Sequence, residues 1–185
     1  MKYINRQLMI FLIKFIGIFC VLYFGTLAIM GLSSPESYYS PFVAHYLDYI
    51  SPLRSLLLHA SQGLLSLFNF TTFFTDKYTL MSNHGGIYMV YSCIGYGVMS
   101  FWTAFVLANS GSWKRKAIWI IGGLFALCSI NILRISILLV AINKNWTMPL
   151  GWDHHTWFNI VAYLLIFLLI YFYDRSSQKP LSPTN

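Results

Sequence analysis

The sequence predicts an all-α integral membrane protein with about four transmembrane helices, interfacial helices, and a small external β-hairpin ahead of Cys93. Three observations predict it. Hydrophobic residues make up 57% of the 185 residues and charged residues only 9%, with a mean hydropathy of +0.62, so water is not the main solvent of this chain. Apolar runs able to cross a hydrocarbon layer of roughly 30 Å recur along it. The basic residues stand in short groups flanking those runs. The formal net charge of +7 therefore reads as a topology signal, because nucleic-acid binding would gather the same charge on one polar face.

Taken in order, the chain reads as a single multi-span membrane domain, 1–185. Lys2, Arg6 and Lys14 lie in a cytoplasmic N-terminus, 1–14, before a first span over 15–32. Small residues at Gly31 and Ser33 allow a cleaved signal peptide as the rival, but further membrane segments follow and Lys14 can snorkel to the surface, which favours an uncleaved anchor. Pro35 and Pro41 punctuate a polar connector. In 42–74, Leu56, Leu57, Ala60, Leu64 and Leu67 follow Leu53 at helical spacing. Arg54, Ser55, His59, Ser61, Gln62 and Ser66 fall largely elsewhere. The expectation is helices lying in or dipping into the outer interface.

Over 75–92, β-rich runs flank the turn sequence Asn83, His84, Gly85, Gly86, which predicts an external hairpin. Spans follow at 93–108, 117–142 and 155–173, then a disordered cytoplasmic tail, 174–185. Lys114, Arg115 and Lys116 between two of these spans mark the cytoplasmic side, and Trp146 and Trp152 anchor an external loop. Cys93, the outer half of 117–142 and the pair His154 and His155 then share the external face.

Those residues carry the chemistry. Cys20, Cys93 and Cys128 are too few for a disulfide framework and form no Cys-x-x-Cys pair. Only Cys93 stands at the mouth of a span. A buried thiol is ordinarily a small apolar filler, which is the bland reading of each. Arg134 precedes Ile142 by eight residues, about 12 Å below the helix exit, where a charge costs roughly 2.5–3.5 kcal/mol on a lone helix. Its bland reading is a structural ion pair or a snorkelling arginine, but the last three apolar spans hold no carboxylate to neutralise it. Asn131, one turn earlier on the same face, is expected to fix the guanidinium fork.

His154 and His155, between Trp152 and Trp157, could be interfacial decoration. A zinc site made of His84, Cys93 and this pair is a further rival, opposed by the lack of a His-Glu-x-x-His helix and by the divergent directions of adjacent helical residues. No metal and no cofactor are expected. A thiol, a guanidinium and an imidazole at one membrane face would make an acyl-transfer site.

Cys93-Ile94-Gly95 opening one span, Asn131-Ile132-Leu133-Arg134-Ile135 inside the next, and a histidine heading the last resemble the pattern of the exosortase/archaeosortase family over roughly Leu53 to Tyr173. The resemblance implies a membrane cysteine transpeptidase or protease in the cytoplasmic (inner) membrane, its active site towards the external or periplasmic face. The partners it implies are exported proteins whose C-terminal tail carries a short motif, a transmembrane helix and a basic cluster. It assigns Cys93 as nucleophile, Arg134 as oxyanion stabiliser and a histidine as general acid and base. His155 fits the family's spacing to the small residue of the following helix, here Asn159, and His154 is the alternative. Gly95 and Asn131 are supporting residues. The competing reading is a non-enzymatic assembly or scaffold protein, in which Arg134 pairs with an acidic residue of a partner helix and Cys93 merely packs.

Overall fold

The structure, a computed structural model, describes residues 2–34, 38–83, 85–146 and 154–176, without the side chains of 2–5, 154, 155 and 158. It is mostly helical. Helix α1 spans Lys2–Ser33, α2 Pro41–Tyr46, α3 Ile50–Leu67, α4 Tyr96–Ala108, α5 Trp113–Asn143 and α6 His154–Arg175. Among the described residues, two stretches are long and apolar enough to cross a membrane, Arg6–Ser33 and Trp113–Asn143, and α4 is a shorter apolar helix. The first helix starts well before residue 15, because Arg6 and Lys14 are good helix formers that leave no break between N-terminus and apolar run.

Helix α4 runs back along α1. Phe105 meets Phe11 edge-on at 6.0 Å, Phe101 meets Phe15 at 5.2 Å, and Tyr96 meets Tyr23 at 5.3 Å. Residue numbers rise on one helix as they fall on the other, so the two are antiparallel. Helix α5 reverses direction again and closes on α4 through Trp102, whose indole is fully buried and donates to the Trp119 carbonyl at 3.0 Å. A Cβ at Gly123 would overlap that indole, so the close approach requires glycine there. Trp102, Val106, Leu127, Ile166 and Tyr173 form one core cluster, drawing in α6.

The second cluster is built by α3, a sheet and the other end of α5, and includes Ile50, Leu57, Leu58, Leu65, Leu80, Met89, Ile94, Ile135 and Leu139. The buried face of α3 is Ile50, Arg54, Leu57, Leu58, Ser61 and Leu65. This corrects the leucine stripe read from the sequence, since Leu56 and Leu67 are 63% and 79% exposed while Arg54 is 2% exposed. The physical reason is that Ser61 lets α3 approach α5, its hydroxyl donating to Leu57 O at 2.7 Å and Ile132 O at 3.4 Å. Leu56 and Leu67 are left on the outside.

Ahead of Cys93 are three strands rather than a lone hairpin: β1 (Phe73–Asp76), β2 (Thr79–Ser82) and β3 (Gly85–Tyr88), antiparallel in that order. Phe73 and Phe74, read from the sequence as the end of the interfacial helices, pair with Met81 and Leu80. Apolar aromatics suit a half-buried strand as well as a helix, so the run alone does not separate them. The β2–β3 end is tied to α5 by Asn143 Nδ2, which donates to Ser82 Oγ at 2.7 Å.

Candidate active site

Chain direction and hydrogen bonding deliver Cys93 from the sheet to α5. After β3, Met89 N–H donates back to Tyr78 O at 3.0 Å, and Tyr91–Ile94 wind into one 3-10 turn. Cys93 N–H closes that turn on Val90 O at 3.0 Å. Gly95 ends it with φ 79 and ψ 23 and at the same residue opens α4. That left-handed conformation costs a residue with a Cβ roughly 1–2 kcal/mol, which is why a glycine stands two positions after the cysteine. Cys93 therefore belongs to a short turn in front of α4 and not to the helix itself, a difference from the span 93–108 read from the sequence.

From the other side α5 presents Asn131 and Arg134, one turn apart and on one face. Arg134 Nη2 donates to Cys93 Sγ at 3.5 Å and Nη1 to Cys93 O at 3.3 Å. One guanidinium thus touches both the sulfur and the carbonyl of the same residue. Asn131 is 1% exposed, and its Nδ2 donates to Cys93 O at 3.1 Å and Ile94 O at 2.8 Å. The expectation that Asn131 would fix the Arg134 fork is corrected. Its amide nitrogen holds the backbone of the cysteine turn, whose carbonyls lack partners because a 3-10 turn of this length closes few bonds of its own.

Beneath the turn, α4, α5 and α6 enclose a cavity of about 10 Å³, room for one water. Ile94, Gly95, Val98, Asn131 and Ala162 are among its walls. Asn131, whose Oδ1 is buried and without a donor among the described residues, is one of these walls. Ala162 of α6 therefore faces the Asn131 level of α5. Position 155 lies seven residues, about two turns, before Ala162 and falls on the same line of the helix. The side chains of His154 and His155 lie outside the described residues; among the described ones the structure brings together Cys93, Gly95, Asn131 and Arg134. His84, invoked for zinc, also lies outside them. Among the described residues no three His, Cys, Asp or Glu side chains are grouped as metal ligands. Cys20 and Cys128 are free thiols, and Cys128 packs against the same core cluster as Cys93.

Sequence reasoning missed Arg54. Its guanidinium is buried at the start of α3, with Cζ 3.7 Å from the Tyr78 ring centroid, 5.0 Å from that of Tyr88 and 5.1 Å from that of Tyr91. Tyr91 belongs to the cysteine turn. Burial pushes the Tyr91 phenol above its usual pKa, so the ring stays neutral. The nearby Asp76 is held below the usual carboxylate range, chiefly by the Tyr78 backbone N–H and then by the Thr79 hydroxyl.

A helical membrane protein with a thiol under a guanidinium fork, at the mouth of a bundle, has the parts of a membrane acyl-transfer enzyme. The chain belongs to the transmembrane exosortase family: the family model described as Transmembrane exosortase (Exosortase_EpsH) matches residues 8–172. Family membership makes it a membrane protein of the protein-sorting class. No curated protein and no solved structure matches the chain.

Proposed function

We propose that this protein is a cysteine transpeptidase or protease that cleaves the C-terminal sorting tails of exported proteins at the outer face of the cytoplasmic membrane. The observation that carries the reading is the Arg134 fork, with one nitrogen on Cys93 Sγ and the other on Cys93 O. In this reading α1, α4, α5 and α6 cross the bilayer, while α2, α3 and the sheet lie at the outer interface. The basic residues support it: Lys114, Arg115 and Lys116 start α5 at the bundle end where Phe11 meets Phe105, so the basic ends of α1 and α5 gather on one side, as cytoplasmic charges do.

The chemistry follows from the residues. A charge-assisted donor on sulfur favours the thiolate, the nucleophilic form. Its attack forms a C–S bond to the scissile carbonyl and moves an electron pair onto oxygen. Arg134, already beside the sulfur, is within reach of that oxyanion. Collapse breaks the C–N bond, and the leaving amine takes a proton from histidine. An acceptor amine or water, losing its proton to the same histidine, then displaces the thiolate and releases the acyl group. His155 is proposed for this role because its position shares the α6 line of Ala162; His154 is the alternative.

The test is to compare the C-termini of exported proteins in cells carrying the native protein or Cys93→Ala. Tails removed in the first and retained in the second are expected, with Cys20→Ala and Cys128→Ala together leaving removal nearly intact. Full removal by the Cys93→Ala protein would leave the scaffold reading standing instead. Of the histidines, His155→Ala is expected to accumulate uncut substrate and His154→Ala to do so more mildly, measured by the fraction of tail retained.

A further inference from the structure

Arg54 is 2% exposed, and its Nε and Nη2 donate to no partner among the described residues. These two N–H groups are not an arbitrary pair. They point the same way from one edge of the guanidinium plane and make the side-on fork that fits both oxygens of a carboxylate. The tyrosines take the cation's faces, Tyr78 stacked closest at 3.7 Å, and rings do not satisfy edge donors.

The acids at hand are already engaged. Asp76 accepts from Tyr78 N–H through Oδ1 at 2.8 Å and from the Thr79 hydroxyl through Oδ2 at 2.8 Å. Asp48 Oδ1 accepts from Ile50 N–H and Ser51 N–H at the start of α3, at 3.1 and 3.0 Å. Among the described residues this buried cation has an empty fork while neighbouring carboxylates cap backbone, and so lacks there the partner that buried charges require.

The fork is also well placed. Tyr91, one wall of the cage, is two residues from Cys93 in the same 3-10 turn. Tyr88, another wall, is the last residue of β3 and is 58% exposed, so the cage borders solvent on that side. An extended peptide advances about 3.3 Å per residue. A chain lying with its scissile bond at Cys93 therefore passes the cage with a side chain a few residues away.

Building on the tail-processing reading above, we propose that Arg54, caged by Tyr78, Tyr88 and Tyr91, is a specificity-determining residue that binds an acidic side chain of the substrate tail close to the scissile bond.

The test measures binding without cleavage. The full-length Cys93→Ala protein is placed in nanodiscs of zwitterionic lipid. It is titrated with synthetic tails made of a short extended segment, a Leu/Ala membrane helix and a Lys/Arg cluster. A single Glu, or Gln in its place, is walked through the extended segment. At one register the Glu tail is expected to bind about tenfold more tightly than the Gln tail, the ratio one charge-assisted bidentate pair supplies. Arg54→Lys, which keeps the charge but loses the planar fork, should remove most of that ratio, and Arg54→Met all of it, with Gln-tail binding unchanged.

Tyr88→Phe keeps the ring and should keep the ratio. Equal binding of Glu and Gln tails at every register overturns the proposal even if no Arg54 variant inserts. So does a ratio that survives Arg54→Met. If anionic phospholipid in the nanodisc abolishes the Glu preference of the native cage while leaving Arg54→Met unaffected, the fork takes a lipid phosphate and the proposal also fails. Selective binding by a protein that never cleaves tails would refute the enzyme reading and leave the cage in place.

Discussion

The two ends of the bundle treat their cations differently. At the Trp102 end, Lys116 Nζ donates to Leu107 O at 2.8 Å, and Arg115 Nη2 donates to Tyr173 O at 2.8 Å and Ser176 Oγ at 3.1 Å. Those carbonyls belong to the last turns of α4 and α6, which have no donor in their own helix. The cations thus cap helix C-termini, where the macrodipole also favours them. At the Cys93 end, Arg134 is directed at a thiol and Arg54 at aromatic faces. A cation that finishes a helix is explained by the fold; one aimed at a sulfur is explained by chemistry.

Substitutions at each end sharpen that contrast. The largest effect is expected from Trp102→Ala, which empties the packed centre of the basic end and should cost about 3–5 kcal/mol. Abundance in membranes and the midpoint of thermal unfolding in detergent would both fall. Activity per folded molecule would hold if the two ends are independent, and a parallel loss of specific activity would break the comparison.

Next comes Arg134→Lys. The ammonium keeps the charge but cannot reach sulfur and oxyanion as a planar fork, so processing should drop by about a hundredfold to a thousandfold with abundance unchanged. Native processing by this variant would show that Arg134 is as structural as Lys116. The smallest is Gly95→Ala, which forces a Cβ into the left-handed region at a cost of roughly 1–2 kcal/mol. Because that strain falls on the turn holding Cys93, processing should decline while the basic end is unaffected, read as a lower rate at equal abundance.

Much of the Cys93 end was legible from the sequence for one reason: charge inside an apolar run is expensive, so Arg134 marked itself. Gly95 was legible as part of a motif, and its φ of 79 supplies the cause. Arg54 was not legible. On α3 the eye follows the leucines and assigns them inward, as in water, whereas here Leu56 and Leu67 face outward and the buried line is Ile50, Arg54, Leu57, Ser61 and Leu65. In a chain whose surroundings are themselves apolar, hydrophobicity does not tell inside from outside. Polar residues two turns apart on one helix line, as Arg54 and Ser61 are with Leu57 and Leu58 between them, are the better signal. Nor could spacing reveal that Asn131 would grip the carbonyls of Cys93 and Ile94, because that contact depends on how a 3-10 turn meets a helix from far along the chain.

The brevity of α4 has a consequence for the lipid. With 13 residues it is about 20 Å long, some 10 Å short of the hydrocarbon thickness that α5, with 31 residues, more than covers. In the proposed topology, where α4 crosses the bilayer, lipid chains beside it would have to shorten or tilt to meet it, at a fraction of a kcal/mol for each ångström of mismatch. The bilayer would then be indented where the polypeptide turns at Gly95. Water would follow the headgroups into such a dimple, reaching a depth at which it is otherwise excluded.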